Sequence, residues 1–311
     1  MKTYAAYYDN PVREESSSGG VFSLLAQQFE IVYGVAMTRD CYGAEYVRTQ
    51  GDFSALRGSK YLQARAGDIL KQVKKDLEAG RQVLFTGTGC QINGLKSFLG
   101  KEYGNLTCVD VVCHGTPSPK LWREYAQYQE SRNGKLESVN FRCKEESWEN
   151  YGIKENQLYT PKAVHPFMHM FLNDFCLRPS CYACHAKYEK KADMTIGDFW
   201  GIDRCAPEMN DGRGTSLVIT RTAKGQALFD GLKEQLVWKE VSYKDGVRGN
   251  LAEHASVSRP KERDTFFDDM NALPFEELAK KYEADKKVPI VERIVRKAKS
   301  LAKKLLRRAK S

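Results

Sequence analysis

The sequence of 311 residues has no long apolar run. Its first ten residues, MKTYAAYYDN, lack the apolar core of a signal peptide, and no stretch approaches the roughly 20 apolar residues that span a bilayer. Membrane-spanning helices are thereby excluded, and we expect a cytoplasmic chain. Hydrophobic residues make up 41% and charged residues 29%, which excludes disorder for most of the length.

The sequence also lacks internal repeats, low-complexity linkers and the nucleotide-binding patterns GxxxxGK[ST] and GxGxxG. Apolar patterning instead alternates between strand and helix, for example from the buried run RQVLFTGTGC to the helical SPKLWREYAQYQE. It likewise predicts a helix over residues 21–30 and a strand over residues 31–37. This alternation predicts an α/β fold with a mixed, partly parallel sheet and flanking helices. We expect one domain over residues 1–285 and a helix over 286–311.

The net charge of +9 is concentrated at the C-terminal end of the chain. Residues 289–311 hold nine Lys or Arg against one acidic residue, so the rest of the protein is close to neutral. Apolar residues in this tail form one helical stripe at 290, 291, 294, 295, 298, 301, 302, 305, 306 and 309. A cationic amphipathic helix of this kind suits an anionic membrane surface, docking on a protein or nonspecific nucleic-acid binding. No nucleic-acid motif accompanies it, so we expect no specific nucleic acid.

Nine cysteines in a reducing compartment predict thiols or metal ligands rather than disulfides, and the odd number excludes complete pairing. Cys181 and Cys184 form a C-x-x-C turn, which supplies half of a four-ligand set. Cys90 and Cys113 follow the ends of predicted strands, where side chains can converge. The pattern leaves three interpretations open: a four-cysteine cluster, a zinc site that could include His185, or redox and structural thiols.

Four loops of small residues accompany these cysteines. ESSSGGVFSLL precedes a helix and suits a phosphate or pyrophosphate, although a simple capped helix explains it equally well. A second loop, LRGSKYLQ, places a Lys and a Tyr in a short polar turn. Small, hydrogen-bonding residues also crowd two predicted strand ends, in TGTGCQ and CHGTPSP. Together, the loops and the cysteines favour an active site more strongly than any one of them does.

The motifs SSGGVFSLLA, GSKYLQ, VLFTGTGCQINGLKSFL, VDVVCHGTPSPKLWREY, VNFRCK, SCYACHA and DMTIGDFWGI occur in this order. In this succession the chain resembles the beta subunit of coenzyme F420-reducing hydrogenases and related formate dehydrogenases, from about residue 16 to 239 and more weakly to 282. Such proteins pass electrons between an iron-sulfur cluster and a two-electron carrier through FAD. The resemblance therefore implies an iron-sulfur flavoprotein oxidoreductase.

Residue by residue, the resemblance implies ligands for a [4Fe-4S] cluster at Cys90, Cys113, Cys181 and Cys184. It implies FAD binding by Ser17, Ser18, Gly19, Gly20, Ser59, Lys60, Tyr61, Thr86, Gly87 and Thr88. We expect Lys60 to lie near the isoalloxazine and to act in catalysis by stabilising its anionic reduced form.

The chain departs from the family pattern in three places. Gly89 replaces the proline of G-T-P-C-Q, and the ferredoxin-like pattern C-x-x-C-x-x-C-x-x-x-C-P of many relatives does not occur in the sequence. The third departure is a short segment over residues 148–165, which bears on the substrate side of the pocket. The second difference implies a separate electron donor such as a ferredoxin. Some bacterial relatives act alongside cell-surface polysaccharide synthesis, which the basic tail would suit at the inner membrane face. The rival hypotheses are a non-enzymatic zinc module and an interaction protein that uses the tail.

Overall fold

The structure is a computed structural model and describes residues 1–282. The predicted helix over 286–311 and its boundary at residue 285 lie outside the described residues. The strands are β1 Lys2–Tyr7, β2 Ile31–Met37, β3 Ala44–Thr49, β4 Ala64–Arg65, β5 Val83–Thr88, β6 Leu106–Val111, β7 Val139–Cys143, β8 Gly152–Glu155, β9 Leu158–Pro161, β10 Met194–Asp198, β11 Ser216–Thr220 and β12 Val237–Val241.

Nine of these strands form one central sheet in the order β12-β1-β11-β10-β6-β5-β2-β3-β4. The pairs β10–β6, β6–β5, β5–β2 and β3–β4 are parallel, and the other neighbours are antiparallel. The predicted α/β fold with a mixed, partly parallel sheet is confirmed. A separate antiparallel sheet contains β7, β8 and β9.

The helices are α1 Val21–Ala26, α2 Ile69–Glu78, α3 Gly89–Leu99, α4 Pro119–Asn133, α5 Pro166–Leu172, α6 Ala223–Asp230, α7 Tyr243–Val247, α8 Arg263–Ala272 and α9 Phe275–Tyr282. Helix α1 ends before Glu30, where the apolar pattern had predicted its end. The chain turns there because Ile31 enters the sheet and donates its N–H to the Gln82 carbonyl at 3.1 Å. None of the helices in residues 1–282 has the length and apolarity needed to cross a membrane.

Apolar side chains cover both faces of the central sheet and fill a further core beside it. That further core joins α4, α5, α8, α9 and the small sheet through fully buried rings such as Trp122, Phe167 and Phe266. Its aromatic packing includes Trp122 against Phe167 at 4.9 Å between ring centroids. This packing fixes α5 and the small sheet against one end of the central sheet, where the parallel strands β5, β6 and β10 terminate.

Candidate functional site

Two of the predicted ligands leave neighbouring parallel strands at the same edge of the sheet. Strands β5 and β6 pair in register, with Thr88 opposite Val111. Cys90 lies in the first turn of α3, directly after β5, and Cys113 lies two residues after β6. Since the carboxyl ends of parallel strands meet at one edge, the fold itself brings these two thiols together.

The C-x-x-C turn reaches the same edge through backbone contacts between two distant segments. The N–H of Arg178 donates to the Thr116 carbonyl at 2.9 Å, and the N–H of Ser118 donates to the Cys176 carbonyl at 2.8 Å. Cys181 then lies in a short 3-10 helix, Pro179–Ala183, and accepts a hydrogen bond from the Thr116 N–H. The loop after β6 therefore holds the second pair of cysteines.

The four thiols lie near enough to one another for each to disfavour the ionisation of its neighbours. The pKa of the Cys113 thiol is raised to about 12, mainly by burial and in smaller part by the neighbouring Cys90, Cys181 and Cys184. The nearby Lys187 opposes this shift, and its ammonium donates to the Cys113 backbone carbonyl. Binding a cation would remove the cost of ionising these clustered thiols, which is the chemistry expected of a metal centre.

Within the described residues, the four thiols are not arranged as a complete set of metal ligands. Across residues 1–282, no group of three or more His, Cys, Asp or Glu side chains is arranged to hold a metal ion. His185 is exposed and lies 3.8 Å from the Glu189 carboxylate rather than among the thiols. The fit to a metal centre therefore rests on the donor chemistry of four converging thiols, which matches the Cys₄ set of iron-sulfur proteins.

A cavity of about 620 Å³ opens directly beside Cys90 and Cys113, which both line it. This volume lies within the range of cofactor sites. The predicted cofactor-binding residues that line it are Ser17, Ser18, Gly20, Ser59, Lys60, Tyr61, Thr86, Gly87 and Thr88. Three loops that are far apart in sequence thus share one cavity with two of the four cysteines.

The serine-glycine loop is fixed to the sheet and to the second loop. The Ser17 and Ser59 hydroxyls lie 3.0 Å apart and join the two loops. Gly19 lies outside the cavity lining; its N–H donates to Ser216 Oγ and its carbonyl accepts from the Tyr8 N–H. Helix α1, which follows, has only six residues, so the helix itself adds little to anion binding at this loop.

Lys60 lies in the cavity wall with its ammonium turned toward its own loop. The Nζ atom donates to the carbonyls of Ala55 at 2.8 Å and Arg57 at 2.6 Å. Burial lowers the pKa of Lys60 to about 7, so this amine can change its charge near neutral pH. The structure thus places Lys60 at the cavity, in an environment where a nearby anion would favour its protonated form.

The third loop is shaped by a close contact behind Gly87. A Cβ atom added at Gly87 would lie 2.1 Å from the Tyr46 hydroxyl, so no larger residue fits without a shift. Thr88 caps α3 reciprocally with Gln91, since the Thr88 N–H donates to Gln91 Oε1 at 2.8 Å. These contacts fix the end of β5 and the start of α3, from which Cys90 lines the cavity.

Several cavity residues were not predicted from the sequence. His114 and Asp198 line the cavity, and His114 Nε2 lies 2.7 Å from the Asp174 carboxylate. Arg142 lies buried behind Asp198, with 2.9 Å between Nη2 and Oδ1. An arginine inside an otherwise strand-like run, VNFRCK, is the sequence feature that could have indicated this residue.

Comparison with known proteins identifies the family. The sequence profile for the C terminus of the coenzyme F420 hydrogenase/dehydrogenase beta subunit matches residues 80–245, more than half of the chain. The chain belongs to this coenzyme F420 hydrogenase/dehydrogenase beta-subunit family. Its general function is accordingly that of an oxidoreductase subunit in electron transfer.

A solved structure supports the fold of this beta-subunit family member. The F420-reducing [NiFe] hydrogenase complex from Methanosarcina barkeri contains a chain that superposes with a TM-score of 0.56 at 14% identity. The match covers 80% of this chain and 84% of that chain. A comparison with curated proteins gives no match.

Proposed function

We propose that this beta-subunit relative is a flavin- and [4Fe-4S]-dependent oxidoreductase. It would transfer electrons between the cluster and a two-electron carrier or organic substrate. The observation that carries the proposal is that Cys90 and Cys113 line the same cavity as the three loops expected to bind FAD. A cluster and a flavin held at these places would be neighbours, as electron transfer between them requires.

FAD would supply the conversion between two-electron and one-electron chemistry that amino-acid side chains cannot perform. The small residues of the three loops allow close approach of a planar ligand to the backbone. Phe171 and Tyr61 supply apolar surface at the same cavity, with 5.2 Å between their ring centroids. Lys60 would supply the cation that tunes the potential of the bound ring.

The cluster would be held by Cys90, Cys113, Cys181 and Cys184. The Thr116 N–H already donates to Cys181 Sγ at 3.4 Å, and hydrogen bonds to cysteine sulfur are one means of setting a cluster's potential. Cys90 is the exposed member of the group, so the cluster edge nearest to it would face solvent. That edge is where electrons would enter or leave.

The experiment that tests this proposal is an anaerobic reductive titration of the full-length protein with dithionite. A chain that holds one FAD and one [4Fe-4S] cluster takes up about three electrons, two at the flavin and one at the cluster. Uptake of about two electrons would indicate a flavoprotein without a reducible cluster. No uptake together with bound zinc would replace the proposal with the zinc module.

A separate one-electron donor with an acidic surface, such as a ferredoxin, is the partner that we propose for the exposed cluster edge. A surface trough beside α3 is lined by Lys96, Lys101, Lys190, Lys191 and Arg221 and by only two acidic residues, Glu102 and Asp193. Asn93, on the same helix as Cys90, donates to the Glu189 carbonyl at 2.8 Å, and Glu189 directly precedes Lys190 of this trough. Lys101→Glu with Lys191→Glu should slow reduction by an acidic ferredoxin at low salt and leave reduction by dithionite unchanged.

The basic tail would keep this otherwise cytoplasmic protein peripheral at the inner membrane face. Its amphipathic stripe and nine basic residues support the proposal, since anionic lipids attract such segments. A substrate linked to a lipid or nucleotide sugar in cell-surface polysaccharide metabolism would fit this placement. Turnover of such a sugar coupled to flavin reduction is the observation that would support this substrate class.

A further inference from the structure

The motif VNFRCK, which none of the roles above explains, lies directly behind the serine-glycine loop. Arg142 is on β7, and its Nη2 lies 3.4 Å from the Ser17 carbonyl. Lys144 follows the strand, and its Nζ donates to the Ser18 carbonyl at 3.1 Å. Two adjacent peptide groups of the loop are thus held by two cations, one on β7 and one directly after it.

Both cations are tied firmly in place by further contacts. The Arg142 guanidinium lies 3.9 Å from the Tyr151 ring centroid and pairs with Asp198, which lines the cavity. Lys144 Nζ donates in addition to the carbonyls of Arg13 at 2.8 Å and Arg213 at 2.7 Å. The acceptors of Lys144 are therefore backbone dipoles, which do not neutralise its charge.

Peptide geometry links these contacts to the cavity. In a trans peptide the N–H points opposite to the preceding carbonyl. When the Ser17 carbonyl turns toward Arg142, the Ser18 N–H must point to the opposite side of the loop. Ser17 and Ser18 line the cavity, so the clamp orders a loop whose polar groups and local positive charge both suit an anion.

We propose that Arg142 and Lys144 are positioning residues that make the serine-glycine loop the phosphate-binding end of the cavity. The inference rests on the proposed flavin function and assigns the orientation of the ligand within it. The phosphate groups would lie at residues 16–20, and the ring system would lie toward Lys60 and Cys113. The two cations act through the loop and through their charge rather than by touching the phosphates.

The test compares a ligand that carries phosphates with one that does not. FAD and riboflavin are titrated into the full-length protein, and binding is followed by quenching of flavin fluorescence. Lys144→Met should weaken FAD binding at least tenfold and change riboflavin binding less than twofold. Lys144→Arg should restore most of the FAD affinity, because the charge returns.

A matched control on the neighbouring strand is Lys154→Met. Lys154 lies on β8 and pairs across 3.5 Å with Glu145 at the surface, so its loss should leave both affinities unchanged. Arg142→Lys keeps the charge but loses the planar fork, so we expect an intermediate loss of FAD affinity. Thermal unfolding of each apoprotein separates a folding defect from a binding defect.

The dependence on pH provides a second readout. The pKa of Lys144 is lowered to about 8, mainly by burial; Arg13 and Arg142 contribute to the lowering, whereas Glu14 and Asp198 oppose it. A bound phosphate would raise this pKa, so FAD affinity in the wild type should fall as pH rises above about 8. Lys144→Arg should show no such fall.

Three outcomes separate the hypotheses. Equal losses of FAD and riboflavin affinity in Lys144→Met would reduce the clamp to general structural support and overturn the inference. Unchanged FAD affinity in Lys144→Met would also overturn it, while leaving the flavin function intact. If the wild type binds neither ligand, the proposed function fails first, and the inference fails with it.

Discussion

The backbone N–H of Thr116 donates to the sulfur of Cys181 across 3.4 Å. These two residues are 65 positions apart in sequence, yet their segments also pair through Ser118 and Cys176. The loop that carries Cys113 and the turn that carries Cys181 and Cys184 therefore behave as one structural unit. Damage to either segment should affect the whole group of thiols.

Replacing Gly87 should disturb the packing between the cavity wall and Tyr46. In Gly87→Ala the new methyl group would meet the Tyr46 hydroxyl, and overpacking of this kind costs about 1–3 kcal/mol of folding free energy. Flavin affinity should fall together with stability. Chemical denaturation and flavin titration measure the two effects.

Two further variants control this prediction. Gly94 lies in the middle of α3 on its exposed side, and a Cβ atom added there has no neighbour within 4 Å. Gly94→Ala should therefore stabilise the protein by up to about 1 kcal/mol. Tyr46→Phe removes the clashing oxygen and should restore part of the stability of Gly87→Ala. If the double variant is no more stable than Gly87→Ala, the close contact is not the cause.

Lys60 should influence the reduction potential of bound flavin. A cation near the ring favours the reduced, more negatively charged state, so Lys60→Ala should lower the potential. A spectroscopic redox titration at pH 6 measures this change, because Lys60 is then largely protonated. An unchanged potential in Lys60→Ala would exclude this role.

Lys60 should also make stability depend on pH in the absence of ligand. Its folded pKa of about 7 lies below the ordinary value of 10.5, so the unfolded chain binds more protons between these values. The free energy of unfolding should therefore rise with pH from about 7 to 10.5. Urea denaturation at pH 7 and pH 9 should show a smaller rise in Lys60→Ala than in the wild type; an equal rise would refute the assignment.

A buried polar group supports the helices that flank the cavity. Tyr125 donates to Glu155 Oε2 at 2.8 Å, Gln129 donates to the same oxygen at 2.9 Å, and His165 lies 3.0 Å from the Tyr125 hydroxyl. Tyr125→Phe leaves the buried carboxylate with one donor fewer, which should cost about 1–3 kcal/mol of stability. Tyr128→Phe, three residues along α4 and partly exposed, should change stability by less than about 0.5 kcal/mol. Similar losses in both variants would argue against a specific role for the buried group.

The basic tail offers a prediction that is independent of the cavity. The full-length protein should sediment with anionic vesicles, and this binding should weaken as salt is added. A variant that lacks residues 286–311 should remain in the supernatant. Sedimentation of the shortened protein with anionic vesicles would contradict the membrane proposal.

Sequence patterning could predict much of the central sheet because its strands are continuous apolar runs. Ile31–Met37 was predicted with its observed bounds, and the positions of Cys90 and Cys113 followed from their strand ends. In contrast, α1 is shorter than its apolar pattern, because the entry of Ile31 into the sheet ends the helix. Local periodicity does not contain that tertiary constraint.

The clamp behind the serine-glycine loop could not be predicted in this way. Arg142 and Ser17 are 125 positions apart, and no local pattern records which loop a strand arginine will contact. The pairing of His114 with Asp174 depends in the same way on how the loop after β6 packs beside α5. Such contacts follow from the packing of the small sheet and α5, which the sequence alone does not specify.

The most direct test of the central claim is the metal and flavin content of anaerobically purified protein. Wild type and Cys205→Ala should each contain about four irons and one FAD per chain, with absorption near 400 nm that dithionite bleaches, whereas Cys181→Ala should lose the iron. Cys205 serves as the control because it is a partly buried thiol outside the group of four. Zinc in place of iron and flavin, or iron retained in Cys181→Ala, would contradict the account.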